Sequence, residues 1–172
     1  MQQIIERFKA AVDKVVEAGK DELRQQGHKA SGRLEQSFEV DFDFSDLNRL
    51  VARIYVNDYA LSLDTGVPAS RIPYSRPGRA KTSRYIEGLI QWAGIVKPGL
   101  NEKQRKSFAF AVATAHKREG MPTAGSYSFS KNGRRKEWIK YGLEQPAQEL
   151  ERDLKLFESA ASYFEQIAKQ AA

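Results

Sequence analysis

The chain has no cysteine, only two histidines and only six prolines among 172 residues. Without cysteine there is no disulfide and no thiolate metal site, and redox chemistry says nothing about compartment. His28 and His116 have no neighbour at ligand spacing, so no metal centre is expected. No apolar run approaches the roughly 18 residues that a membrane-spanning helix needs. The opening MQQIIERFKAAVDKVV mixes acids into an amphipathic pattern and does not read as a signal peptide. Neither a GxxxxGKS/T phosphate loop nor a GxGxxG turn is present, so no cofactor is expected. No Ser-His-Asp or Cys-His arrangement can be assembled. Helix-turn-helix, RNA-recognition and zinc patterns are missing too.

What is there suits a single folded domain spanning 1–172. Hydrophobic residues make up 41% and charged residues 29%, the balance of a chain that can bury a core. The net charge of +6 is unevenly distributed. Residues 1–64 carry 9 basic and 12 acidic side chains, 65–140 carry 16 and 4, and 141–172 carry 3 and 6. The basic middle segment points to an acidic or polyanionic partner, with a solvated basic face as the plainer reading.

The pattern predicts an α+β fold: an N-terminal helix, a small antiparallel sheet built around a hairpin, and several packed helices including a long C-terminal one. Ile4, Ile5, Phe8, Val12, Val15, Val16 and Leu23 recur at helical spacing over 3–26, and Gly27 stops that helix. Phe38, Val40, Phe42 and Phe44 then alternate with Glu39, Asp41 and Asp43, which reads as a half-buried strand with an acidic outer face. LVARIYVND follows as its hairpin partner. Helices are expected over 83–94 and, from an Asn101 cap, to Gly120, with Phe108, Ala111, Val112 and Ala115 as the apolar stripe of the second. The last helix is expected over 146–171, where Leu150, Leu154, Phe157, Ala161, Phe164 and Ala168 form a seam that packs on its own domain.

Two loops interrupt these elements. Residues 65–82 hold Pro68, Pro73 and Pro77, which exclude a helix or central strand. The same stretch holds Arg71, Ile72, Tyr74, Arg76, Arg79 and Lys81, and it is expected to project and be ordered by a partner. Residues 121–136 form a basic Gly/Ser-rich loop, in which Tyr127, Phe129 and Asn132-Gly133 suggest a small hairpin.

LSLDTG at 61–66 has the Asp-Thr-Gly triplet of an aspartic protease. The longer LSLDTGVPASRI resembles the nucleophile region of single-domain retroviral-type proteases. Such an enzyme is nearly all β and pairs two copies of its Asp around one proton. Here a proline-rich stretch and helices follow, so the protease is kept only as an alternative and Asp64 is not expected to be catalytic.

The first half of the chain resembles the head–tail joining and tail-completion proteins of tailed bacteriophages. Those minor tail or neck proteins carry A-T-G-x-L-x-x-S-I after a first helix. Here the stretch reads Ala30-Ser31-Gly32-Arg33-Leu34, with Ser37-Phe38. They carry Y-A-x-x-x-E-x-G-T after a hairpin. Here Tyr59-Ala60 leads to Asp64 and Gly66, with Asp in place of Glu and Val67 in place of Thr. The resemblance covers residues 3–80 and implies a structural virion protein of the neck or tail, not an enzyme. It implies a subunit assembled into a closed ring in the host bacterial cytoplasm, with connector, adaptor or tail-tube proteins as neighbours and no membrane contact.

In that setting Gly32, Asp64 and Gly66 are turn residues, with Asp64 accepting hydrogen bonds from nearby backbone N–H groups. Glu39, Asp41 and Asp43 would form one interface and the 67–82 loop another. Non-specific contact with DNA in the lumen is a further option. The alternative from a different class is a free protein that binds nucleic acid without sequence preference through the basic segment.

Overall fold

The structure is a computed structural model, and it describes residues 2–28, 31–45, 50–75 and 83–153. It is α+β, with several helices and one two-stranded antiparallel sheet. Helix α1, Gln2–Gln25, buries Val12, Val15, Val16, Gly19 and Leu23, the i, i+3, i+4 stripe that its sequence encodes. Gly27 ends it at φ 72°: its N–H donates to Arg24 and the His28 N–H to Leu23, so two orphan carbonyls are satisfied.

A short helix α2, Arg33–Gln36, leads into β1, Glu39–Asp43, which pairs with β2, Val51–Tyr55. Val40 faces Ile54 and Phe42 faces Ala52, while Asp41 faces Arg53 on the other side. The aromatic face of β1 packs on α1. The Phe8 ring stands edge-on to Phe42 at 6.2 Å and to Phe44 at 6.4 Å.

Helix α3, Tyr59–Thr65, ends at Gly66, and a 3-10 turn, Ala69–Arg71, follows. Helices α4, Arg84–Val96, and α5, Glu102–Glu119, form a hairpin. Ser83 caps α4 by accepting the Ile86 N–H, and Asn101 with Gln104 makes a reciprocal capping box on α5. Ala93, Ala109 and Ala113 are fully buried, and Trp92 stacks on Phe108 at 5.9 Å. The apolar stripe of α5 therefore differs from expectation: its fully buried positions are the small Ala109 and Ala113, and Ala111 is exposed.

The last helix, α6, spans 138–153 among the described residues, and so begins well before 146. Residues Lys140–Glu144 are π-helical, and Gln145 separates them from Pro146. Proline lacks the N–H that would bond the carbonyl four residues back, and the altered ladder accommodates it. Gly142 lies against Gly19; a Cβ added there would sit 2.9 Å from the Gly19 Cα. Glycine at both positions lets α6 cross α1 closely. Of the C-terminal seam, Leu150 is half-buried, and Leu154, Phe157, Ala161, Phe164 and Ala168 lie outside the described residues.

Leu23, Leu34, Ala60 and Trp138 form a buried cluster, with Phe38, Val56, Leu63, Ile139 and Leu143 packed around it. No hairpin forms at 124–133: residues Ala124–Phe129 are 3-10 turns, and the Asn132 side-chain oxygen accepts the Arg134 N–H instead. A local side-chain bond of this kind competes with strand pairing.

Candidate functional site

Asp64 lies in the last turn of α3, and its carboxylate accepts the Ile139 N–H at 2.9 Å. Its backbone carbonyl accepts the Glu137 N–H at 2.9 Å. Asp64 thus satisfies donors at the start of α6, as an N-cap side chain does, but from 75 residues away. The sequence reading expected a local turn bond; the acceptor role is of the same kind, and the partner is remote. Trp138, fully buried, donates its indole N–H to the Ala60 carbonyl at 3.0 Å, so α3 accepts from three consecutive residues, 137 to 139. Gly66 follows at φ 79°, a conformation that side chains with a Cβ resist, and Val67 then pairs with Met121. Gly32, at φ 76°, precedes α2. Leu34 and Ala60, one from each quoted motif, meet in one core.

The acidic strand face is in water. Glu39 and Asp41 are exposed, and Asp43 is partly so. Arg53 reaches Asp41 at 3.4 Å and Asp43 at 3.6 Å, which offsets part of the charge within the chain. Ser45 donates both its hydroxyl, at 2.6 Å, and its N–H, at 3.1 Å, to Asp43. These bonds, with Arg53 nearby, hold the Asp43 carboxyl below its ordinary range. A shallow open depression beside this face is lined by Ser37, Glu39, Tyr55, Val56, Asn57 and Asp58.

The proposed loop interface is only partly visible. Arg71 is exposed, but Ile72 is 2% exposed. Tyr74 is half-buried, with its ring against Phe110 at 6.5 Å and its hydroxyl 3.4 Å from Thr114. Lys117 donates to the Ile72 carbonyl at 3.2 Å. Residues 67–75 are therefore seated on α5 and do not project, which corrects the expectation for that part: the buried Ile72 anchors the segment to its own chain. Arg76, Arg79 and Lys81 lie outside the described residues. Among the described candidates, the acidic residues sit on β1 and Arg71 in the 3-10 turn after α3, and no ion pair joins them.

The second basic loop is tied to the end of α1. Lys131 donates its N–H to the Gln25 carbonyl at 2.7 Å, and Arg135 donates to the Gln26 carbonyl. Cations at the C-terminal end of α1 complement its dipole. The Glu22 carboxylate accepts from Gln26, from Asn132 at 3.0 Å and from Arg134 at 3.1 Å. Burial raises the Glu22 pKa, but these bonds outweigh it and leave the group below its ordinary value. Gln26, fully buried, also donates to the Lys136 carbonyl at 2.9 Å. Burial pushes His28 down to about 4, and the Arg135 charge adds to the effect. Sequence reasoning missed this network, because nothing local pairs Glu22 with residues 110 positions away.

Burial raises the Tyr85 hydroxyl to about 12, and that hydroxyl lies 2.6 Å from His116 Nδ1. Burial also lowers the His116 pKa. The described residues contain no group of three or more metal-ligating side chains, and no helix among them is long and apolar enough to cross a membrane. No protein-family model, curated protein or solved structure matches the chain.

Proposed function

We propose that this chain is a structural subunit of a phage neck or tail, assembled head-to-tail into a closed ring in the virion. The observation that carries the reading is the separation of charge onto different elements. An acidic strand face stands on the β hairpin. A set of exposed lysines and arginines stands on the 67–75 segment and the α4–α5 pair. A head-to-tail ring of identical subunits needs two unlike, complementary surfaces, and the separation of charge supports reading these two as such a pair. The motif resemblance adds support from the residues that it selects, since Gly32, Leu34, Ala60, Asp64 and Gly66 occupy turns, core and cap. On this reading connector, adaptor or tail-tube proteins are neighbours.

The protein is then not an enzyme. Asp64 spends its carboxylate on the Ile139 N–H, and the capping role accounts for the Asp-Thr-Gly triplet without catalysis. A free nucleic-acid-binding role is less well supplied than the composition suggested, because Arg105, Arg134 and Arg135 donate to acceptors within the chain. Negative-stain imaging of the purified protein tests the proposal. Closed rings of uniform size are expected. Monomers on every grid, together with tight salt-dependent binding to single- or double-stranded DNA, would favour the nucleic-acid reading instead.

A further inference from the structure

Exposed apolar side chains occur at several places, among them Ile4 on α1 and Tyr127 and Phe129 in the 124–129 turns, and two further groups stand beside exposed charges. Tyr55 is 53% exposed at the end of β2, and Tyr59 at the start of α3 is 44% exposed. Glu39 is paired with Tyr55 across the strands, and Asp41 and Asp58 are exposed on the same hairpin and at the start of α3. Among the described residues, Arg33 lies near Tyr59 and Arg53 is already engaged with Asp41 and Asp43. The rim is acidic on balance.

The other group is at the tip of the helical hairpin. Ile95 and Val96, at the end of α4, are 51% and 36% exposed. Lys97 follows directly, and Lys103 and Lys106 lie in the first turns of α5. All three lysines are exposed, and Glu102 is the one acid at this end among the described residues. Arg105 is turned away, donating to the Leu100 carbonyl at 2.7 Å and the Pro98 carbonyl at 3.2 Å. This rim is basic.

Exposed apolar patches with charged rims mark interaction sites. Here one chain carries two of them, with rims of opposite sign. We infer that the α4–α5 tip of one copy seats on the surface around Tyr55 and Tyr59 of the next. Ile95 and Val96 pack on the tyrosines, and Lys97, Lys103 and Lys106 meet Glu39, Asp41 and Asp58. The occupant is a second copy, because charge complementarity links two surfaces present in equal number on every subunit. An anionic polymer or lipid surface would use the lysines but leave the acidic face unexplained. The inference rests on the ring reading and makes the helical tip, not the proline-rich turn, the basic half of the contact.

The chain has no cysteine, so Tyr55→Cys and Val96→Cys variants each carry a single thiol. Both positions are exposed, and circular dichroism checks that both variants fold; Tyr59→Cys with Ile95→Cys is the replacement pair. Equimolar mixtures are oxidised and the disulfide-linked dimers counted. A head-to-tail contact brings unlike positions together and keeps like positions apart. Unlike pairs are expected in severalfold excess over like pairs. Adding Lys97→Glu, Lys103→Glu and Lys106→Glu to the Val96→Cys chain should remove the excess. Adding Glu39→Lys, Asp41→Lys and Asp58→Lys to the Tyr55→Cys chain as well should restore it. Equal numbers of like and unlike pairs, or no cross-links while the wild type still forms oligomers, would overturn the tip-on-face contact and leave the ring standing. No self-association of the wild type at any concentration would overturn both.

Discussion

The Trp138 core and the α4–α5 hairpin are stabilised in different ways. The first draws residues from α1, α2, α3 and α6 around one indole, and its contacts join positions far apart in sequence. The second is made by neighbours: two capped helices, a short turn, and alanines that let the helices approach. Large side chains from distant segments make the core intolerant of truncation, whereas small side chains at a close crossing make the hairpin intolerant of enlargement. The resemblance motifs feed the core, and the exposed apolar tip belongs to the hairpin.

The largest effect is expected at the core. Trp138→Ala should cost about 3–5 kcal/mol, through lost burial, a cavity and an unpaired Ala60 carbonyl. Urea unfolding measures it. If the loss were no larger than for an exposed site, Trp138 would not be the centre of the core. Ala109→Leu tests the other region and should cost about 1–3 kcal/mol, because a larger side chain forces α4 and α5 apart. A neutral result would show that the crossing has room, and would weaken the contrast.

Asp64→Ala should cost about 1 kcal/mol, the usual loss of a cap. Asn101→Ala serves as the local counterpart on α5. Equal losses would mean that a cap supplied from 75 residues away works as well as one supplied by the adjacent residue. Retention of full stability in Asp64→Ala would show that the Ile139 N–H finds another acceptor.

How much of this was legible in the sequence follows the same division. The hairpin of β1 and β2, the α1 stripe, the Gly27 stop and the Asn101 cap were readable, because each rests on spacing or on a cap residue beside its helix. The Asp64–Ile139 bond and the Glu22–Arg134 pair were not, because no periodicity links such distant positions. Ile72 shows the limit differently: prolines around it exclude a helix, but they do not say that the segment docks on α5. Ala109 and Ala113 were passed over because hydrophobic patterning selects large side chains, and a close crossing selects small ones.

A smaller, pH-dependent effect is expected where the basic loop meets α1. His28 has its pKa depressed from 6.5 to about 4 in the folded chain, so the unfolded chain binds the proton more readily. Its neighbours are Arg135, Glu22 and Gln26. The stability linked to neutral His28 is fully present above about pH 6.5 and declines as pH falls toward 4. Glu22, whose pKa is lowered, adds a loss in the same direction at the acid end. Thermal melts at pH 7 and pH 5 should show a drop in the wild type that is smaller in His28→Asn. The difference should be roughly 2–4 °C if the partly exposed ring contributes about 1 kcal/mol. Identical drops in both proteins would remove His28 from the account.

The central claim is that unlike charged surfaces join copies of this chain. Sedimentation velocity tests it most directly, on the wild type and on the triple variant Glu39→Lys, Asp41→Lys, Asp43→Lys, across a salt series. One exposed ion pair contributes only about 0–1 kcal/mol, so three reversals are made together. The account predicts a single large species for the wild type at low salt, weakened by added salt through screening, and a folded but smaller species for the variant. A wild type that remains monomeric at every concentration and salt, or a variant that assembles as fully as the wild type at low salt, would contradict it.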